Sequence, residues 1–565
     1  MKKTLLMVFV PLLASAVVYL YVCARWGELL TYMCRDTQKP FFSRQPAGTG
    51  GYIVLPNRSG VSGEGFKFLM PKPKGVKRIF VAGESAAGLL ADAGKRSFTA
   101  VIREAMGANT EIINCGMGAY DSGRISEVFR ELLAYEPDLV IVLSGNNEFG
   151  IAIETCPDGK GLLTVLKRLS RVARRLPFSP LRRALRDETI SNHKDRLELM
   201  AELGRGKNVP VMFLTLPVDL KDFPPYGPMP LFDRNFSAGL REFESGQLAD
   251  ALSSMENFIR DGNDDPFGLF YAGRILSALG REKEALVRYR AAVEQDWRHD
   301  RASARNNTAI RAAAAAPGAC LADLEKAFER LSPGGTIGGE LMVDGPHWFT
   351  EYNYLAGYEV LKSASGCAAR RLLRDGGTGP PPAGGRYRAD DRRAESEKVA
   401  ILLNYAAAYI IFMDREGKDY LNMRVVSILD KADRGGRAAL LRALRSKETL
   451  AGLLRENTWV RSRKPGMAPI YPVLLAHAAE MYRGKKQYAL AEEFLAAASS
   501  APASAGLKLT KARLACDLGA HDEAKRLFME ILDSGGGRAA AISGLLFTYG
   551  LERPGSGADF SCLPG

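Results

Sequence analysis

The stretch Lys77–Leu90, KRIFVAGESAAGLL, decides the fold. Its first half, Ile79 to Ala82, is a short apolar run and reads as a buried strand. The run ends at Gly83, and a new pattern starts at once with Glu84, Ser85, two alanines, Gly88 and two leucines. A strand that stops at glycine and restarts as a helix puts the residue between them at the carboxyl edge of a sheet. Open α/β sheets keep their sites on that edge. Ser85 is that residue. Serine is also a favoured helix N-cap, so Ser85 acquires chemical meaning only from partners elsewhere in the chain.

Outward from this stretch, strands are expected at 78–82, 111–114, 138–143 and 209–215, with helices between them. Their apolar runs between turn signals suggest a parallel sheet covered on both faces. The α/β pattern breaks at about 236, resumes after about 305 and runs to about 365. Three further polar blocks fall in it. NCGMGAYDSG, Asn114 to Gly123, and SGNNEFG, Ser144 to Gly150, each come directly after an expected strand. DGPH, Asp344 to His347, comes after the interruption. One parallel sheet would gather the first three blocks on one edge.

Their chemistry is complementary. A serine hydroxyl needs a base to take its proton, and His347 can be that base. Asp344 lies three residues earlier on a turn set by Gly345 and Pro346, where its carboxylate could hold the imidazole tautomer. A developing oxyanion needs donors. Asn147 offers a side-chain amide, and the backbones of Ser85 and Ala119 offer N–H groups. Each block alone has a plainer reading, as a cap or a tight turn. Competing motifs are weaker: GESAAG has Ala87 where the G-x-S-x-G elbow has glycine, and GMGAYDSG lacks the glycine spacing of a dinucleotide loop.

Taken together the four blocks resemble the SGNH (GDSL) hydrolases. Gly83-Glu84-Ser85 is similar to that family's GDS block, and Gly145-Asn146-Asn147-Glu148 to its G-x-N-D block, each with Glu for Asp. Asp344-Gly-Pro-His347 is similar to its D-x-x-H block. The resemblance covers 76–235 and 305–365. It implies an α/β three-layer parallel sheet of flavodoxin-like type, with Ser85 as nucleophile, His347 as base, Asp344 as its orienter and Asn147 as an oxyanion donor. With Asn114 aligned on the family's asparagine, Ala119 stands where a glycine donor is usual.

The rest of the chain is expected to divide into an anchor, a stalk and two helical regions. Residues 1–26 carry an apolar run from Leu5 to Cys23, long enough to cross a bilayer as a helix. Lys2 and Lys3 before it, with Tyr19, Tyr21 and Trp26 near its far end, suit a cytoplasmic N-terminus. Ala14-Ser15-Ala16 resembles a cleavage site, but the apolar run continues past it, which favours an uncleaved anchor. Residues 27–75 read as an irregular stalk, rich in Gly, Pro and Ser. Residues 236–304 read as a helical insertion, with Gly246 and Gly280, and Ala251 and Ala285, each 34 apart. Those offsets resemble tetratricopeptide repeats, in which small residues let paired helices pack closely. A linker spans 366–395, and 396–550 form a C-terminal helical repeat domain in which Gly484 and Gly519, and Ala489 and Ala524, are 35 apart. Residues 551–565 are a tail.

With 565 residues and a net charge of +13, the chain has room for several cores and a basic surface suited to anionic lipid or polymer. No base-reading motif points to nucleic acid. Arginines and lysines crowd 161–186 among leucines, a solvated face or a helix lying on lipid. The eight cysteines contain no CxxC pair, which argues against a zinc site and leaves disulfides open. The expectation is a membrane-anchored, extracytoplasmic serine esterase acting on an acyl ester, acetyl among them, of a carbohydrate or lipid. It needs no metal or organic cofactor. The alternatives are an O-acyltransferase on a surface polysaccharide, or a repeat scaffold that binds a protein partner on a degenerate hydrolase core.

Overall fold

A computed structural model describes residues 40–47, 51–57, 67–88, 97–107, 109–148, 179–227, 229–230, 233–261, 265–296, 298, 300–365, 369, 395–415, 422–454, 470–498 and 505–533. The expected anchor and tail, nearly all of the linker and most of the basic 161–186 stretch lie outside them. Among the described residues no helix is long and apolar enough to cross a membrane. Arg186, at the end of the basic stretch, is buried.

In chain order the strands begin with β1 (Phe42–Pro46), β2 (Tyr52–Pro56), β3 (Phe68–Met70) and β4 (Lys77–Gly83). They are followed by α1 (Ser85–Gly88), α2 (Phe98–Met106), β5 (Thr110–Gly116), α3 (Ser122–Leu132), β6 (Leu139–Leu143), α4 (Ser179–Gly206) and β7 (Val211–Leu214). Four helices come next: α5 (Arg234–Glu244), α6 (Leu248–Arg260), α7 (Pro266–Ala278) and α8 (Glu282–Gln295). The α/β pattern returns with α9 (Ala304–Ala314), β8 (Ala319–Ala322), α10 (Leu324–Leu331) and α11 (Asn353–Ser365). Helices α12 (Glu395–Arg415), α13 (Met423–Arg445), α14 (Lys447–Leu454), α15 (Ile470–Gly484), α16 (Tyr488–Ala498), α17 (Ala505–Asp517) and α18 (His521–Asp533) complete the described chain.

The chain divides into two compact units, 1–219 with 297–392 and 220–296 with 393–565. In the first unit, β4 to β8 form a five-stranded parallel sheet in the order β5-β4-β6-β7-β8. Every residue of β6 is buried, as the unbroken apolar run requires. Parallel neighbours need crossover helices, which cover the sheet. Helices α2 and α11 pack together in one layer, and α3 and α9 pack on α4 in the other. The chain reverses its direction of travel across the sheet between β4 and β6. That switch point is where such sheets hold a ligand.

The stretch read as an irregular stalk is not irregular throughout. Strands β1, β2 and β3 form a three-stranded antiparallel sheet. Pro46 and Pro56 end β1 and β2 rather than interrupt them. Phe42 and Phe68 pack edge-on against Tyr135 and Phe80. Glu131 accepts the N–H groups of Phe41 and Phe42 at 2.6 and 2.9 Å. Buried Arg78 donates to Leu69 O at 2.9 Å and lies over the Phe68 ring. These long-range partners are invisible to a local reading.

In the second unit α5 with α6, α7 with α8, α15 with α16 and α17 with α18 form helical hairpins. The turns of all four are alike. Gly246, Gly280, Lys486 and Gly519 take φ of 81°, 75°, 57° and 78°. The next residue donates its N–H five residues back: Gln247 to Glu242, Arg281 to Leu276, Gln487 to Tyr482 and Ala520 to Ala515, at 2.8 to 2.9 Å. This is the left-handed helix stop that favours glycine. The repeating glycines therefore serve backbone conformation, not close helix packing, and the third hairpin's turn residue is Lys486 rather than Gly484. Close packing falls to Ala251, Ala285 and Ala524, all fully buried, and in the third hairpin to buried Ala491 rather than the expected Ala489, which is exposed. The insertion also belongs to one compact unit with the C-terminal helices instead of forming a separate domain. Arg424 on α13 donates to Pro224 O at 3.1 Å and to Asp296 at 2.8 Å, so it grips both ends of the inserted segment.

Candidate active site

The register aligns the ends of three strands. Gly83 pairs with Gly116 on one side and Leu143 on the other. Glu84 N donates to Leu143 O, and Met117 N to Gly83 O. The loops after β4, β5 and β6 therefore start level with one another. A Cβ on Gly116 would collide with the backbone nitrogen of Gly88, so α1 lies directly on the end of β5. Asn114 ties the two together, donating to Ala87 O at 2.9 Å and accepting from Gly116 N at 2.9 Å.

Ser85 is the first residue of α1, a position whose N–H has no intrahelical acceptor. Its Oγ lies 2.9 Å from His347 Nε2. On the other side of the ring, Nδ1 lies 2.9 and 3.0 Å from the two carboxylate oxygens of Asp344. Asp344 Oδ1 also accepts the His347 backbone N–H at 2.9 Å. The turn is closed by Val343 N donating to His347 O at 2.7 Å, and tied down by Asp219 N donating to Gly345 O at 2.8 Å. Trp348, fully buried, holds the loop to α11 through Asn353 at 2.8 Å. A carboxylate against Nδ1 keeps the proton there and leaves Nε2 to accept from the serine hydroxyl. Asp344, Ser85 and His347 are all buried, at 2%, 9% and 8% exposure.

The other two predicted residues lie beside this chain of contacts. Asn147 Nδ2 donates to Tyr120 O at 3.1 Å and to Glu84 Oε2 at 3.3 Å. It thus joins the residue before Ser85 to the residue after Ala119. Ala119 has φ 64°, in the left-handed region where an L side chain is disfavoured. The alanine accordingly keeps a conformation that suits glycine.

No protein-family model matches this chain. No curated protein is significantly similar to it.

Beneath the serine lies a buried polar network that sequence reading treated only as support. Glu84 accepts from Asn146 through its backbone N–H at 3.0 Å and through its side-chain amide. Asn146 Oδ1 accepts from Ala302 N at 2.8 Å. Glu148 accepts from Ser122 N at 3.0 Å, Ser122 Oγ at 2.6 Å and Ser144 Oγ at 3.2 Å. His193, wholly buried, lies between Ser144 O at 3.2 Å and Asn306 Nδ2 at 3.1 Å. Burial first, and the Glu148 charge second, push the Glu84 carboxyl up to about 8 against the Asn146 donors. Burial, then Asp121, push Glu148 up to about 7. The doubled GNNE asparagines were the visible signal for this network. His193 left none, because its partners come from distant segments. Of the other histidines, His299 is outside the described residues and His477 is buried in the second unit.

Proposed function

We propose that this protein is a serine esterase of the SGNH type, anchored in a membrane with its body outside the cytoplasm. The observation that carries the proposal is the unbroken chain of contacts from Ser85 Oγ through both ring nitrogens of His347 to Asp344. In the reaction, His347 Nε2 takes the hydroxyl proton as Ser85 Oγ attacks the acyl carbonyl. Asp344 stabilises the imidazolium that results. The carbonyl oxygen becomes an oxyanion, met by the Ser85 and Ala119 N–H groups and the Asn147 amide. Collapse of the adduct breaks the ester bond, and the imidazolium returns the proton to the leaving alcohol. Water, deprotonated by His347, then attacks the acyl-serine; the adduct collapses with loss of Ser85 Oγ, which takes the proton back from the imidazolium, and the acid is released.

The raised Glu84 carboxyl suits this scheme. A neutral Glu84 at pH 7 spares the oxyanion a second negative charge close to Asn147. Its 3.3 Å contact with Asn147 is the longer of the amide's two, and is the one an oxyanion would take over. The apolar Leu5–Cys23 run supports the anchor. Cys320 on β8 is disulfide-bonded, which fits an oxidising compartment. The substrate would be an acyl ester of a carbohydrate or lipid, and the helical hairpins would offer a surface to a protein partner.

The test is labelling of the purified protein with a fluorophosphonate that reacts with activated serines. Ser85 should carry the label, and Ser85→Ala should abolish it. No label, or a label that persists in Ser85→Ala, would refute the proposal. Product analysis separates hydrolysis, which yields free acid, from transfer, which yields a new ester.

A further inference from the structure

One buried cation has no part in the reaction described above. Arg124 is 3% exposed and sits in the first turn of α3. A cation there opposes the helix dipole, so helix stability gives no reason for it. Its guanidinium reaches backwards. Nη2 donates to Ala119 O, Nε donates to Asp121 Oδ1 at 2.9 Å, and the fork lies 4.6 Å above the Tyr120 ring. Asp121 in turn caps α3 by accepting the Arg124 backbone N–H at 3.3 Å. Three consecutive residues are thus held by one side chain. The first is the alanine with φ 64°, and the second offers its carbonyl to Asn147.

We propose that Arg124 is a positioning residue of the oxyanion hole: it clamps the 119–121 turn that carries the Ala119 N–H and orients the Asn147 amide. This rests on the serine-esterase reading. The physical argument is that alanine does not keep a left-handed conformation unaided. A glycine would need no clamp, because it takes positive φ freely. Lysine could not replace arginine, since a point ammonium lacks the planar fork that meets a carbonyl and a carboxylate at once. Two of the three oxyanion donors thereby depend on one guanidinium.

The experiment is steady-state hydrolysis of p-nitrophenyl acetate by the full chain. Arg124→Lys should lower kcat about tenfold or more, with KM held within about twofold, because the donors act chiefly in the transition state. In an Ala119→Gly background the same change should cost about threefold or less. Equal losses in the two backgrounds would overturn the clamp, as would a rise in KM with kcat unchanged. Should Arg124→Lys not fold, Asp121→Asn serves, since asparagine still caps the helix but leaves the guanidinium without its charged partner. A kcat equal to wild type in that variant would likewise overturn the proposal. If the wild type neither turns over the ester nor labels at Ser85, the esterase reading itself fails and the clamp with it. An active wild type with unaffected variants sinks the clamp alone.

Discussion

Arg424 and Asp296 pair at 2.8 Å with both side chains shut away from water. The guanidinium also lies over the rings of Phe223 and Tyr226 at 4.7 and 5.1 Å. Breaking a buried pair strands the surviving charge, so Arg424→Ala should cost about 3 to 5 kcal/mol. Urea denaturation followed by circular dichroism would measure it. A loss under about 1 kcal/mol would mean that Asp296 finds another partner.

Ser85→Ala or His347→Ala should each abolish ester hydrolysis without lowering the thermal midpoint appreciably. Asp344→Asn should do less harm, because the aspartate orients and stabilises but does not react. Equal activity in wild type and Ser85→Ala would rule out the proposed nucleophile.

Asn147→Ala should lower kcat about 100-fold or more with little change in KM, since its bond to the oxyanion strengthens only in the transition state. Kinetics with an activated acetyl ester would show the split. A change confined to KM would move Asn147 from transition-state stabilisation to substrate binding.

Stability should fall as pH rises from 6.5 to 8. Glu84 and Glu148 hold their protons more tightly folded, up to about 8 and about 7, than unfolded. Their contribution is full below the ordinary carboxyl range and is lost as pH climbs through the folded values. His193, pulled down to about 4 by burial, acts in the opposite sense, but only below its ordinary 6.5. Above that point the carboxyls act unopposed. The thermal midpoint should therefore drop across this window, and drop less in Glu148→Gln. A midpoint that climbs instead would contradict the assignment.

Gly280→Ala should destabilise the second unit by about 1 kcal/mol, because its φ of 75° places a Cβ against the following carbonyl. Lys486→Gly, at the matching turn, should be neutral or stabilising. Chemical denaturation of the two variants side by side gives the comparison, and the reverse order of stabilities would refute it.

The strands of the parallel sheet were legible because their apolar runs are continuous. The expected 78–82, 111–114, 138–143 and 209–215 correspond to β4 to β7 within two residues at either end. Ser85, Asp344 and His347 could be grouped because each falls in a short polar block beside a strand or a tight turn. What remained hidden depends on contacts far apart in sequence. β2 carries a plain β-branched run, yet the glycines and prolines around it masked the strand until Phe42 and Phe68 met Tyr135. The union of the inserted and C-terminal helices needs Arg424 to find Asp296 across 128 residues. The turn at Lys486 carries no glycine to mark it in the sequence, because the backbone conformation and not the residue type is what repeats. Arg124 gave no local sign beyond its spacing from Asp121, for its relevance lies in the φ of Ala119.

His347 lies 262 residues beyond Ser85. A ribosome adding about 5 to 20 residues per second needs on the order of 10 to 50 s to cover that interval. Throughout it the nascent chain carries the hydroxyl without its imidazole. The β8 strand and the Asp344–His347 turn can dock only after the four inserted helices have been synthesised. Biosynthesis itself thus delays the meeting of the two groups until all five strands of the parallel sheet have been made.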